Sequence, residues 1–392
     1  MNVDAVDFFY LSMPDVTVDV DGSQDALLVR VSAGGQTGWG ECEAAPLPSI
    51  AAFVCPMSHG ACRPVSASVL GQKLETPEDI RRIAAMVAYD SMDLLQAQHT
   101  FSGVEMALWD ALGRKLDEPV WSLLGYDRSE AKIPYASLLF GDTPQETLER
   151  AKNALSEGFS AFKFGWGPIG RRSVSDDADQ FAAAREGIGT YGHLMVDAGQ
   201  IFGDDVGAAS ARLQALETER TLWIEEPFQA GALEAYASLA RQGSSVCTAG
   251  GEAAHNVNMA EHLMTYGKVG YIQIDCGRIG GIGPAKTVAA SAAAQGVTYV
   301  NHTFTSHLAL SASLQPFAGL YDHNICEFPA QPSRLAIDLT ANYLHRDSNG
   351  LVKAPETPGL GIDIDLPSLA SYLVDTEITV NGKVLYRTPT LE

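Results

Sequence analysis

Residues 193–226 read HLMVDAGQIFGDDVGAASARLQALETERTLWIEE, and the fold turns on them. His193 to Asp197 is a short apolar run that ends on a carboxylate. Residues 206–217 carry helical amphipathicity, and a second apolar run, Leu222 to Ile224, ends on Glu225 and Glu226. Strand, helix and strand in so few residues is the βαβ unit, whose strands run parallel. The alternation extends both ways. Further β-prone runs are IPYAS from 133, AFKFG from 161, VCTAG from 246, YIQID from 271, VTYVN from 297 and ICEF from 325. Amphipathic stretches at 144–157, 177–188, 232–241, 256–266 and 283–294 lie between them. Eight strands alternating with helices predict an α/β protein with a closed, TIM-like (β/α) barrel. The alternative is an open doubly wound sheet, but no GxGxxG opens a helix after the first strand.

The chain ahead of residue 131 has another texture. Ala26 to Ser32 alternates as a strand, GGQTGWGE from Gly34 supplies a turn and a second strand, and 77–117 is helical, with Ile80, Ile83, Met86 and Val87, then Val104, Leu108 and Leu112, on single faces. The expected organisation is therefore an α+β capping domain over 1–130, a barrel over 131–355 and a C-terminal segment over 356–392 that returns to the cap. A chain of 392 residues accommodates a barrel of about 250 residues and a smaller domain.

Composition narrows the partners. The formal charge is −22, from 26 basic and 48 acidic side chains, and such a field repels nucleic acid and anionic membranes. No apolar run approaches the roughly 20 residues that span a bilayer. The start, MNVDAVDFFY, lacks a basic segment and a cleavage site, so a cytoplasmic location is expected. The six cysteines read as reduced thiols, and Cys55, His59 and Cys62 lack the second ligand pair of a zinc site.

In a barrel the chemistry gathers at the C-terminal strand ends. Here the second strand ends with Lys163 and Gly165, the third with Asp197, the fourth with Glu225 and Glu226, the fifth with Glu252, the sixth with Asp275, the seventh with His302 and the eighth with Glu327. A lone carboxylate at such a place is usually a helix cap; seven successive ionisable ends need another reason. Asp197, Glu225 and Glu252 come from neighbouring strands, and three converging carboxylates stay ionised only around a cation. Oxygen ligands with open positions favour Mg²⁺. A salt-bridge network is the competing explanation, with Lys163 the one cation in the motif set.

VDAGQ, WIEEPF, TAGGE, IQIDCGRIGG and PGLGIDID, in this order, resemble the mandelate racemase and muconate lactonizing enzyme branch of the enolase superfamily. The resemblance runs from the GWGE strand to the PGLG segment. It implies metal ligands at Asp197, Glu225 and Glu252, a His302–Asp275 dyad, Lys163 on the substrate carboxylate and an acid at Glu327. The activity implied is removal of the proton α to a carboxylate, with Mg²⁺ and the lysine stabilising the charge that develops. Many members of this branch carry Lys-x-Lys in the second strand, where this chain has Lys163 and Gly165. The absent second base favours dehydration of an aldonate-type sugar acid to a 2-keto-3-deoxy acid; a cycloisomerase or racemase is the alternative, and a non-catalytic metal-binding relative a third. The expected partners are a small carboxylate substrate and further copies of the chain.

His307 competes with His302 as base, but His302 follows its strand directly while His307 is expected to open the next helix. Glu226 points away from the metal by strand alternation, and Trp223 is assigned to the core. Substrate contacts are expected from Trp166, His255 and Asn256, and from a lid loop that includes Pro46, Leu47, Phe53 and His59.

Overall fold

The computed structural model describes residues 1–17, 24–43 and 45–391. Eight parallel strands form its centre: β4 (Ile133–Leu139), β5 (Ala161–Gly165), β6 (His193–Asp197), β7 (Thr221–Glu225), β8 (Cys247–Gly250), β9 (Tyr271–Ile274), β10 (Thr298–Asn301) and β11 (Ile325–Pro329). Three strands precede them, β1 (Val3–Ser12), β2 (Asp25–Ala33) and β3 (Gln36–Cys42), paired antiparallel. The parallel strands are hydrogen-bonded in the order β10-β9-β8-β7-β6-β5-β4-β11. The remaining seam, between β10 and β11, is bridged by the buried Asn301 side chain. Its Oδ1 accepts from the Glu327 amide at 2.9 Å and its Nδ2 donates to the Glu327 carbonyl at 3.3 Å. The barrel is thus closed where the backbone ladder is not, and the fold is the expected capped (β/α) barrel.

The alternation of strand side chains decides what lies inside. Tyr135, Ala161, Met195, Trp223, Val300 and Ile325 pack as an apolar plug within the barrel. Two residues further along their strands come Ser137, Lys163, Asp197, Glu225, His302 and Glu327. A period of two returns each of these to the same inward face, one layer nearer the C-terminal mouth. An apolar floor beneath an ionisable layer follows from the strand pattern alone.

The helices between strands fall where the periodicity puts them, for example Pro144–Ser156, Val206–Thr218 and Ile282–Gln295. In the cap, the helix Ala97–Leu116 lies almost on the backbone of β3. A Cβ on Gly38 would stand 2.1 Å from the Ala107 carbonyl, and one on Gly40 the same distance from that of Gly103. Only glycine allows this approach, which is why glycine stands on both sides of Trp39 in the strand. The C-terminal segment comes back to the cap. The buried Asp110 carboxylate accepts from the amides of Trp39 and Leu360, at 2.9 and 2.8 Å, and from Arg114. A terminal hairpin, β12 (Glu377–Val380) with β13 (Lys383–Arg387), is tied to β1 by the Tyr386 hydroxyl, which donates to the Phe8 carbonyl at 2.7 Å.

One sequence expectation fails locally. The lid loop around Pro46, Leu47 and Phe53 is a helix, Pro46–Val54, with proline in its first turn, where its missing N–H costs nothing. No helix among the described residues is long and apolar enough to cross a membrane.

Candidate functional site

At the barrel mouth a cavity of about 530 Å³ opens, lined among others by Lys163, Gly165, Asp197, Glu252, His302 and Glu327. Lys163 stands at its floor with 4 % of its side chain exposed. Its ammonium lies 2.6 Å from Glu225 Oε1, 2.9 Å from Glu327 Oε1 and 3.9 Å from Asp197 Oδ2. Burial works against the charged lysine, but Glu225 and Glu327 outweigh it and raise its pKa well above the ordinary value. Glu225 is fixed from the other side by the Trp223 indole, which donates to Oε2 at 3.0 Å. Trp223 is core as expected, and it also holds the carboxylate above it.

His302 and Asp275 meet. Nδ1 of the imidazole is 2.7 Å from Asp275 Oδ2, and Asp275 is itself held by the Gly277 amide at 2.6 Å. Nε2 faces Glu252 Oε2 at 3.1 Å. Burial lowers the imidazole pKa, yet Glu252 and the Asp275 hydrogen bond raise it to about 10, so in this arrangement His302 holds its proton.

The three carboxylates expected to hold a metal do not converge as a ready site. No group of three or more His, Cys, Asp and Glu among the described residues could hold a metal ion as the side chains lie; this covers Cys55, His59 and Cys62 as well. Asp197 and Glu225 are register partners on β6 and β7. Glu252 turns instead to His302 and to Arg278, whose Nη1 is 3.2 Å from Oε1. The salt-bridge network is therefore what the side chains form, and Lys163 is not its only cation. The donor chemistry nevertheless suits a hard cation. Burial and Glu225 push the Asp197 carboxyl far up, and burial raises that of Glu225 against the pull of Lys163. Asp197, Glu225 and Glu327 share the single Lys163 ammonium, which leaves these three short of positive charge.

Arg278 escaped the sequence reading, although it stands inside IQIDCGRIGG. Its Nε donates to Glu43 Oε2 at 2.5 Å, and Glu43 follows the last cap strand, so one guanidinium joins cap and barrel at the mouth. Glu41, two residues earlier, is buried and accepts from Ser306 in the loop after β10. The two carboxylates of GWGECE enter the barrel beside Asp275 and His302. A buried Glu at the end of a glycine-rich cap strand was the available signal.

The remaining candidates divide. Trp166 lines the cavity, is 43 % exposed and has φ 58°, a strained value for a bulky residue right after a strand. Glu226 has φ 36°, is buried, and takes a 2.6 Å bond from Gln200 rather than facing the cavity. Gly165 faces Asp197 so closely that a Cβ there would stand 2.9 Å from the Asp197 Cβ. It therefore leaves little open space for a second base. His307 lies elsewhere: it opens the helix His307–Leu314, accepts from the Leu344 amide at 3.2 Å and packs against Tyr343. Four substrate-contact expectations need correcting. Phe53 is packed in the cap core with its ring 4.9 Å from that of Phe8. His59 is exposed and pairs with Asp93 at 3.5 Å. His255 stacks at 6.1 Å on His99 and does not line the main cavity, while Asn256 caps a helix through the Met259 amide.

A capped parallel barrel with a His–Asp pair, a buried lysine and strand-end carboxylates defines a class of acid–base enzymes. Residues 13–125 match the family described as mandelate racemase / muconate lactonizing enzyme, N-terminal domain, and residues 146–368 match enolase C-terminal domain-like. The chain belongs to this family of the enolase superfamily. It is 28 % identical over 355 residues to D-galactarolactone cycloisomerase of Agrobacterium fabrum, covering 86 % of this chain and 88 % of that one. It is 29 % identical over 284 residues to 3,6-anhydro-alpha-L-galactonate cycloisomerase of Streptomyces coelicolor, covering 71 % and 73 %. A crystal structure described as a predicted mandelate racemase from Rhodobacter sphaeroides is 67 % identical, with a TM-score of 0.96 over 99 % of this chain and 100 % of that one.

Proposed function

We propose that the protein removes the proton α to the carboxylate of a sugar-derived acid with a single base, His302, and expels an oxygen from the neighbouring carbon. The observation that carries this is the one-sided site. Among the described residues the one imidazole lining the cavity is that bonded to Asp275, and where the family's second base would stand on β5 there is Gly165, pressed against Asp197. Two-base racemisation needs a proton-transfer group on each face; elimination with both groups on one face needs only one.

Asp275 holds the proton on Nδ1 and leaves Nε2 toward the cavity. Mg²⁺ held by Asp197, Glu225 and Glu252 would supply positive charge opposite the carboxylate on which negative charge develops. Glu252 has two alternative tasks, since the same carboxylate faces His302 Nε2 at 3.1 Å. Drawing it away removes the largest influence that raises the imidazole pKa and so lowers it, as a base requires. Nε2 then takes the α-proton, the bond between the β-carbon and its oxygen breaks, and the imidazolium returns the proton to that oxygen. The enol left behind becomes a 2-keto acid. Lys163, beside Glu225 and Glu327, offsets charge at the cavity floor.

If the departing oxygen belongs to a ring, the product is an isomer of the substrate; if it is a free hydroxyl, water is lost. The two cycloisomerases among the relatives favour the ring oxygen, and dehydration is the same step without the tether. The test is incubation with Mg²⁺ and a panel of sugar acids, their lactones and anhydro forms, followed by NMR and mass spectrometry. A 2-keto acid of unchanged mass supports ring opening, and one lighter by a water supports dehydration. An α-epimer with no keto acid would overturn the single-base reading.

A further inference from the structure

Among the described residues three lysine and arginine side chains line the cavity besides His302, and two are already committed. Lys163 is surrounded by Glu225, Glu327 and Asp197, and Arg278 by Glu43 and Glu252. The third is Arg150, on the helix Pro144–Ser156, half-buried and lining the same cavity. Its Nη1 donates to the carbonyls of Leu139 and Phe140, at 2.9 and 3.1 Å, where β4 ends. Those two bonds fix the plane of the guanidinium. Among the described residues no carboxylate pairs with it, in a chain with 48 acidic side chains to 26 basic. An arginine locked by two backbone carbonyls, with its Nε and Nη2 donors uncommitted, is a preorganised fork for an oxyanion.

We propose that Arg150 binds a second carboxylate of the substrate, so that the acid acted on is a dicarboxylate (an aldarate or its lactone) rather than a monoacid. This rests on the proposed elimination, whose carboxylate and base lie at the Lys163–His302 end of the cavity. Trp166 and Phe304 line the space between polar groups and offer apolar faces to the C–H side of a sugar chain. Locally, Arg150, Lys163 and Arg278 face Asp197, Glu252 and Glu327 in the cavity lining, and Arg150 is the one of these cations that no carboxylate pairs among the described residues, so a dianion meets it despite the formal charge of −22.

Galactarate and galactonate test this directly, because they differ only in having a carboxylate or a hydroxymethyl group at one end. Their affinities are measured by calorimetry with excess MgCl₂ in the full chain carrying His302→Asn, which prevents turnover. Galactarate should bind at least about tenfold more tightly, the size expected of a charge-assisted hydrogen-bonded pair. Arg150→Met should abolish that preference while leaving galactonate affinity unchanged, and Arg150→Lys should restore part of it. A purely structural capping role would weaken both acids together, so parallel losses overturn the proposal. Equal binding of the two acids, or binding of neither, before Arg150 is changed overturns it as well. Diacid binding that depends on Arg150, when the unaltered chain with Mg²⁺ yields no keto acid, would instead refute the elimination.

Discussion

His302 and His307 are five positions apart and have opposite surroundings. The first sits between Asp275 and Glu252; the second is pushed down to about 4 by burial and by the neighbouring His345. Exchange of the substrate α-proton with solvent deuterium should therefore fall by roughly a hundredfold or more in His302→Asn, the usual scale of a lost general base. His307→Asn should leave exchange unaltered; loss there with retention in His302→Asn would reverse the assignment. Gly165 makes a subtler case. Sequence reads it as a missing lysine, whereas the structure shows a contact: any side chain would press on Asp197. Gly165→Ala should weaken Mg²⁺ binding in calorimetry, and an unchanged affinity would show that Asp197 tolerates the displacement.

At the level of elements, the cap reaches the barrel through side chains at strand and helix ends. Arg278 clamps Glu43 from β3's exit to Glu252 after β8. Glu43→Gln keeps the shape and removes the charge that holds the guanidinium, so kcat should fall more than KM rises, since Glu252 and His302 lose their fixed neighbour; a change in KM alone would place Glu43 in substrate binding. His307 links the helix it opens to the loop 343–346, with Tyr343 and His345 facing it. The fold keeps this imidazole neutral, while the unfolded chain protonates its histidines near pH 6.5. Its contribution is complete above about 6.5 and is lost as pH falls toward about 4, by at most about 3 kcal/mol. Urea titrations across that range should show a shallower decline in His307→Gln than in the unaltered chain.

Across the whole molecule, a cation that binds only the folded state must stabilise it. Raising free Mg²⁺ to a hundred times its dissociation constant adds about 2.7 kcal/mol, so the thermal midpoint should climb with MgCl₂. In Glu225→Gln that rise should shrink as affinity falls by roughly tenfold or more. An equal rise in both chains would mean that the acidic surface, and not the barrel mouth, takes up the ion.

The barrel, its strand order and the ionisable layer were legible in the sequence because they are local and periodic. A period of two places Lys163, Asp197, Glu225, His302 and Glu327 inward, each two residues beyond an apolar plug residue. What the sequence could not state is which charge answers which. Arg278 and Glu43 are 235 residues apart, and no spacing announces that they touch. The seam closed by Asn301, the helix in place of a lid loop, and the turning of Phe53, His59 and His255 away from the cavity are likewise set by packing between distant segments. Strand pattern determined which groups stand at the mouth; the closing of the barrel decided which of them pair, and the docking of the cap added Glu41 and Glu43 to Ser306 and Arg278.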